Sequence, residues 1–187
     1  FVASTHNYLL FFTSKGRCYW LKVHEIPSLG RAARGKPIVN LIDVQPGEKI
    51  AAMVNVAKFD DDRFTFFATR KGIVKKTPLS AFANPRGKGI IAVELDEGDF
   101  LIGVAITDGK HDAMLFSDAG KAVRFEEDDV RPMGRVTRGV RGMMLDEGQR
   151  VISMLVAENE SQTVLTVTEN GFGKRTDVSE YRSQSRG

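Results

Sequence analysis

The feature that most constrains the fold of this chain is a seven-residue motif that occurs four times. Each copy has three mostly apolar residues, a Thr or Ser, two variable residues and a final glycine, and the four glycines are Gly16, Gly72, Gly120 and Gly171. The steps between them are 56, 48 and 51 residues. Self-similarity at a near-constant period of this size is the signature of folds built from one repeated unit, so the repeat is the best guide to the architecture.

Each repeat predicts short strands and no long helix. The apolar residues before each glycine have the composition of a strand, and glycine permits the positive φ that tight hairpin turns require. A second strand, a loop rich in Arg and Gly, and two further apolar runs follow, such as GIIAVEL at 89–95 and FLIGVAIT at 100–107. Four strands per repeat predict an all-β fold of four-stranded antiparallel blades arranged radially, like a propeller. An ordinary β-sandwich, the alternative, leaves the fixed period unexplained.

The four repeats are expected to cover roughly residues 1–56, 57–107, 108–157 and 158–187, as partial to complete blades. Seven positions after the turn glycine, three repeats share an apolar residue and the third has Glu127 instead. The last six residues, RSQSRG, have the composition of a turn at a point where an earlier repeat continues into a strand. We therefore expect a piece of a longer chain that contains further blades.

Positive and negative charges are separated within each repeat. From Arg70 to Lys88 the chain carries six cations and no acid, whereas from Glu94 to Asp118 it carries seven acids and one lysine. The formal net charge of +3 hides this division. Because equivalent positions of a radial array lie on the same side of the disk, we expect the cations to form a band. Such a band suits a phosphate backbone, where counterion release favours binding whatever the base sequence.

The basic band predicts an interface with double-stranded DNA. Arg-Gly loops at 33–36, 85–89 and 137–142 add glycines that let a phosphate group approach the backbone closely. For any single cation, protection of an exposed strand edge explains the charge equally well, so recurrence across the repeats is what favours DNA. The predicted phosphate contacts are Arg34, Lys36, Lys75, Lys76, Arg86, Lys88, Arg124, Arg138, Arg141, Lys174 and Arg175.

No pattern typical of a catalytic, cofactor or metal site occurs in the sequence. The G-x-x-x-x-G-K-[ST] phosphate loop is absent, and the three histidines lack the spacing of a metal site. The single cysteine, Cys18, excludes an internal disulfide. No apolar run approaches the roughly 20 residues of a membrane span. We expect an intracellular binding domain without catalytic residues, cofactor or metal.

Five longer motifs run from one end of the chain to the other: GRAARGKPIVNL at 30–41, GIVKKTPLSAF at 72–82, GKAVRFEEDDVRPMG at 120–134, TRGVRGMML at 137–145 and NGFGKRTDVSEY at 170–181. In these motifs, together with the repeat, the separated charges and the Arg-Gly loops, the chain resembles the C-terminal domain of the bacterial DNA gyrase A subunit, a type IIA topoisomerase component. The resemblance implies a β-pinwheel, a propeller-like disk in which neighbouring blades exchange strands and DNA wraps around a basic rim.

The resemblance also implies a role within a larger enzyme. Wrapping presents a DNA segment for ATP-driven strand passage and so supports negative supercoiling. The implied partners are double-stranded DNA, the gyrase B subunit, and the rest of the A subunit, in the bacterial cytoplasm and on the chromosome, with the isolated domain a monomer. ATP and Mg²⁺ would be used elsewhere in the parent enzyme. The family's gyrase-box, a run of basic residues and glycines that begins with glutamine, has no match here and is expected upstream of Phe1.

Two other functions stay open on the sequence alone. The first is the C-terminal domain of a topoisomerase IV A subunit, which would bind DNA through similar blades without favouring negative supercoiling. The second is a propeller-like protein-interaction module that uses the acidic face. A gyrase-box upstream of Phe1 would argue against the first function, and a steep salt dependence of DNA binding would argue against the second as the main role.

Overall fold

The computed structural model describes residues 1–187 and shows an all-β chain, as the repeat predicts. Its 13 strands are β1 (Tyr8–Thr13), β2 (Arg17–Lys22), β3 (Ile50–Val56), β4 (Phe64–Thr69), β5 (Ile73–Pro78), β6 (Ile90–Ile91), β7 (Leu101–Thr107), β8 (Asp112–Ser117), β9 (Ala122–Glu126), β10 (Val140–Arg141), β11 (Val151–Ala157), β12 (Thr163–Val167) and β13 (Gly173–Asp177). The helical segments are five short 3-10 turns, at Val23–Glu25, Ile38–Asn40, Leu79–Phe82, Glu127–Asp129 and Val178–Glu180. None of these turns has the length and hydropathy of a membrane-spanning helix.

The strands form four antiparallel sheets that follow one another along the chain. The first two sheets have four strands each, in the order β3-β1-β2-β6 and β7-β4-β5-β10. The third has three strands, in the order β11-β8-β9, and the fourth is the hairpin β12-β13. The strands β3, β7 and β11 pack against one another in turn, which places the opposite side of each sheet at the outer edge of a disk. These sheets are the blades of the predicted propeller-like architecture.

Neighbouring blades exchange strands. β6 follows the second hairpin but pairs with β2 of the first blade, where Ile90 lies opposite Cys18. β10 follows the third hairpin and pairs with β5 of the second blade, where Val140 lies opposite Val74. Each of the first two blades therefore takes its outermost strand from the repeat that follows, which is the exchange that the pinwheel resemblance implies.

The hairpin turns show why the repeated motif ends in glycine. Gly16, Gly72, Gly120 and Gly171 have φ angles of 76°, 81°, 75° and 82°. This is the left-handed region that glycine adopts without steric cost, so the predicted positive φ is confirmed at all four turns. At Gly72 a Cβ atom would also lie only 2.6 Å from the carbonyl oxygen of Met143, because the exchanged segment crosses the turn at this point.

Aromatic side chains pack between the blades. Phe12, Phe67 and Phe82 belong to one buried cluster, with ring centroids 5.4 to 6.3 Å apart, and this cluster joins the first two blades. Phe66 and Phe125 belong to a second cluster, which joins the second blade to the third. All five side chains are fully buried, so they stabilise the core and are not available to stack on bases.

Candidate nucleic-acid interface

Many of the exposed cations gather in the segments that follow the four hairpins. We define the basic linkers as residues 26–37, 83–89, 131–139 and 182–187, each of which follows the 3-10 turn after a hairpin. The second and third linkers lead into β6 and β10, the outermost strands of their sheets, so they reach the outer edge of the disk. The linkers contain ten cations and no acid: Arg31, Arg34, Lys36, Arg86, Lys88, Arg131, Arg135, Arg138, Arg182 and Arg186.

Most linker cations are accessible to an external anion. All of them are exposed except Arg135, which is half-buried. The predicted contacts Arg34, Lys36, Arg86 and Lys88 are exposed and form no ion pair with a carboxylate of the chain. Their charge is therefore not compensated within the protein.

The structure also exposes four other predicted contacts, in three different settings. Arg138 lies in the third linker and pairs with two carboxylates at 3.2 and 3.8 Å, yet its side chain remains 65% exposed. Arg141 is exposed in the exchanged strand β10. Lys174 and Arg175 are exposed on β13, in a sheet that consists of the two strands of the last hairpin.

The acids gather elsewhere, in loops that pack against the hairpin turns. We define the acidic loops as residues 43–48, 94–99 and 146–149. Lys71 Nζ donates a hydrogen bond to the carbonyl oxygen of Glu97 at 2.6 Å. Lys121 Nζ lies 2.6 Å from Asp146, and this hydrogen-bonded ion pair holds the pKa of the Asp146 carboxyl below its ordinary value. The two turn lysines are thus engaged with groups of the acidic loops.

Lys75 is buried, so its prediction as a phosphate contact is wrong. Its side chain is fully enclosed, and Nζ donates hydrogen bonds to the carbonyl oxygens of Ala92 at 2.7 Å, Thr137 at 3.3 Å and Arg135. These three acceptors match the three donors of an ammonium group. Burial, together with the nearby positive charge of Arg135, lowers the pKa of Lys75 to about 7.

The predictions of phosphate contacts at Lys76 and Arg124 are wrong for the same reason. The two residues are only 2% and 7% exposed, because the linker of the following repeat passes over each of them. Lys76 Nζ donates to the carbonyl oxygen of Glu127 at 2.8 Å. Arg124 pairs with Asp112 at 2.6 Å and with Glu160 at 3.0 Å. Burial alone would lower the pKa of Arg124, but its bonds to these two carboxylates raise it.

The predicted set of contacts also omitted five cations that the structure places in the basic linkers. Their sequence signal is the complete absence of acids between the end of a 3-10 turn and the next apolar run. That signal separates the linker cations from the lysines and arginines of the strands, which the structure buries at three positions. The omitted residues are Arg31, Arg131, Arg135, Arg182 and Arg186.

The repeats match the model of a known family, described as the DNA gyrase C-terminal domain, beta-propeller, at residues 7–57, 64–108, 111–158 and 162–187. The DNA gyrase A subunit of Klebsiella oxytoca is 51% identical over 185 residues, which cover 99% of this chain and 21% of that protein. The DNA gyrase A subunit of Chlamydia trachomatis is 49% identical over 187 residues, which cover 99% of this chain and 22% of that protein. The chain thus spans about a fifth of the length of these relatives.

Two solved structures share the fold. The C-terminal domain of DNA topoisomerase IV has a TM-score of 0.90 at 29% identity, over 98% of this chain and 57% of that one. The DNA gyrase A C-terminal domain has a TM-score of 0.82 at 29% identity, over 99% of this chain and 59% of that one. The exchanged blades and these matches show that the chain belongs to the family of DNA gyrase C-terminal domains with beta-propeller architecture.

Proposed function

We propose that this chain binds double-stranded DNA without sequence preference, wraps it along the basic linkers, and so supports negative supercoiling by DNA gyrase. The observation that carries this proposal is the set of ten linker cations, with no acid among them, in the segments that follow the four hairpins. The two relatives described above, both DNA gyrase A subunits, support the same conclusion.

Binding at several blades is needed because DNA resists bending. Bending a short duplex by about 40 to 90° costs about 1 to 6 kcal/mol, more than a single linker with two or three surface cations can offset at moderate salt. Several linkers in succession can offset that cost together. Gly35 and Gly87, which lie next to linker cations, have open space where a Cβ would be, so backbone amides are accessible to phosphate oxygens there.

In this proposal the chain supplies binding and bending to a larger enzyme. Strand cleavage and ATP hydrolysis with Mg²⁺ belong to the rest of the A subunit, or to the B subunit, which are its proposed partners. The chain itself then needs no cofactor or metal of its own. It would act as a monomeric module on the bacterial chromosome, in the cytoplasm.

A second candidate function is that of the corresponding topoisomerase IV domain, because the TM-score is higher for that structure, 0.90 against 0.82. The linkers would then bind DNA without favouring negative supercoils. The 51% identity to a gyrase A subunit favours the gyrase function. Relaxation of a plasmid by a nicking-closing enzyme in the presence of the chain separates the two candidates, since wrapping changes the linking number and simple binding leaves it unchanged.

The salt dependence of DNA binding tests the proposed function directly. We expect the affinity for a labelled random-sequence duplex, measured by fluorescence anisotropy, to fall by about a thousandfold between about 50 and 200 mM salt, as six or more phosphate contacts require. Unlabelled duplexes of different sequence should compete equally well. An affinity that hardly responds to salt would contradict DNA wrapping and would favour a protein-interaction module.

A further inference from the structure

One position of the repeat joins each blade to the next. Four residues after the turn glycine, the first three repeats carry Trp20, Lys76 and Arg124. Each of these side chains donates a hydrogen bond to a backbone carbonyl group of the following repeat. The acceptors are the carbonyl oxygens of Phe82, Glu127 and Val178, at 2.9, 2.8 and 3.0 Å respectively.

The three acceptors lie in equivalent elements. They belong to the 3-10 turns Leu79–Phe82, Glu127–Asp129 and Val178–Glu180, each of which ends the hairpin of its repeat. A basic linker begins directly after each of these turns, or one residue later. The three hydrogen bonds therefore fix the points from which three basic linkers start.

The three donors share an N–H group and little else. The indole is neutral, so phosphate binding cannot explain Trp20. The ammonium and the guanidinium are cations, so core packing cannot explain Lys76 and Arg124. Arg124 also uses four of its five N–H donors on Asp112, Glu160 and two carbonyl oxygens. A side chain engaged in this way has little left to offer a phosphate group.

Backbone hydrogen bonds reinforce two of the three joints. The carbonyl oxygen of Lys76 accepts a bond from the Met133 amide at 2.8 Å, and that of Arg124 accepts one from the Gln184 amide at 2.9 Å. Both amides belong to basic linkers. At the equivalent position of linker 83–89 the residue is Pro85, which has no N–H. The indole of Trp20 therefore holds the start of this linker without the second bond.

We propose that Trp20, Lys76 and Arg124 are positioning residues, which fix the start of each following basic linker and thereby set the path of its cations along the disk. The proposal rests on the proposed function for the role of those cations in DNA binding. The joint itself exists without DNA, so it can be tested separately.

The substitution Trp20→Phe is the sharpest test, because it removes the donor while keeping an aromatic ring and the net charge. We expect amide hydrogen exchange in residues 82–89 of the DNA-free chain to become faster by about fivefold, the factor for one typical hydrogen bond. DNA affinity should fall by less than that factor, with an unchanged slope against salt, because no cation is lost. The control Arg86→Gln should lower the slope by about one and leave the exchange unchanged.

Two variants at Lys76 extend the test to a charged member of the set. Lys76→Met should accelerate amide hydrogen exchange in residues 127–139 without lowering the salt slope of DNA binding. Lys76→Arg should keep the slow exchange of the unmodified protein, since the third repeat has arginine at the equivalent position. A slope lower by about one in Lys76→Met, or unchanged exchange in Trp20→Phe, would overturn the proposal. If the chain bound no DNA at all, the proposed function would fail, while the exchange measurements would still decide whether the joint exists.

Discussion

The hairpin turns and the second basic linker carry similar cations, but they differ in whether groups of the acidic loops contact those cations. In the turns, Lys71 and Lys121 contact the acidic loops, the latter at 2.6 Å from Asp146. In the second linker, Arg86 and Lys88 are exposed and form no ion pair with a carboxylate of the chain. The comparison shows that a cation is available to phosphate where no acid of the protein lies near it. The number of cations in a repeat does not reveal which of them are available.

Removal of the linker charges should give the largest effect, which is a loss of DNA affinity. We expect the fourfold variant Arg34→Gln, Lys36→Gln, Arg86→Gln and Lys88→Gln to lower the salt slope of DNA binding by about four and the affinity at low salt by at least about a hundredfold. The measurement is fluorescence anisotropy of a labelled duplex at several salt concentrations.

The matched control for this variant removes four cations near the hairpin turns, with Lys15→Gln, Lys71→Gln, Lys121→Gln and Arg150→Gln. Since at least three of these side chains already contact acids or carbonyl groups of the chain, we expect a slope close to that of the unmodified protein. Equal losses in the two fourfold variants would show that the linkers have no special role.

The turns differ from the linkers in packing as well, and Gly72→Ala tests this difference. The substitution forces a Cβ to within 2.6 Å of the Met143 carbonyl oxygen at a φ of 81°. We expect a loss of about 3 kcal/mol or more in the free energy of unfolding by urea. Gly120→Ala, with a φ of 75° and nothing within 4 Å of the added Cβ, should cost only about 1 to 2 kcal/mol. Similar losses at both positions would argue against tight docking of the exchanged segment.

Lys75 belongs to neither group, because its ammonium is fully buried among three carbonyl oxygens. The pH dependence of its contribution to stability distinguishes it from both groups. Its pKa is about 7 in the folded chain and about 10.4 in an unfolded one. The unfolded chain therefore binds more protons between these values, so the contribution of Lys75 makes the fold more stable as the pH rises. The stability of the unmodified protein relative to Lys75→Met should increase by about 1 kcal/mol per pH unit above pH 7.

Urea denaturation at three pH values between 7 and 9 measures this difference. Lys88→Met is the control, because it makes the same substitution at an exposed lysine. A constant difference for Lys75→Met would mean that the buried ammonium keeps its ordinary pKa.

The smallest effect is expected at the ion pair between Lys121 and Asp146. Lys121→Gln should raise the pKa of the Asp146 carboxyl towards its ordinary value, because the hydrogen bond and the charge that lower it are both lost. NMR titration of the carboxyl carbon measures this change. DNA affinity should not change measurably, and a clear loss would place Lys121 among the phosphate contacts.

The sequence predicts the strands and turns well because their causes are local. Apolar runs that end at Gly16, Gly72, Gly120 and Gly171 contain the whole signal for a hairpin with a positive φ. The family resemblance adds the exchange of strands between blades. Charge separation within a repeat likewise indicates the basic linkers, although not each of their cations.

The burial of Lys75, Lys76 and Arg124 could not be predicted from local pattern. The carbonyl groups that bind Lys75 include that of Arg135, 60 residues further along the chain. Glu127 is a similar case: it occupies an apolar position of the repeat and is buried, and its Oε2 accepts a hydrogen bond from Thr107 at 2.6 Å. In each case part of the environment comes from a different repeat, whose path depends on the exchange itself.

Because neighbouring blades exchange strands, the first two blades are completed only after part of the next repeat has been synthesised. Synthesis proceeds from the N-terminus, so β2 keeps an open edge until Ile90 and Ile91 of the next repeat have left the ribosome. An open edge can pair with other chains and so favours aggregation. Each newly made repeat thus protects the blade before it, and a substitution that weakens β6 should expose a strand that was translated about 70 residues earlier.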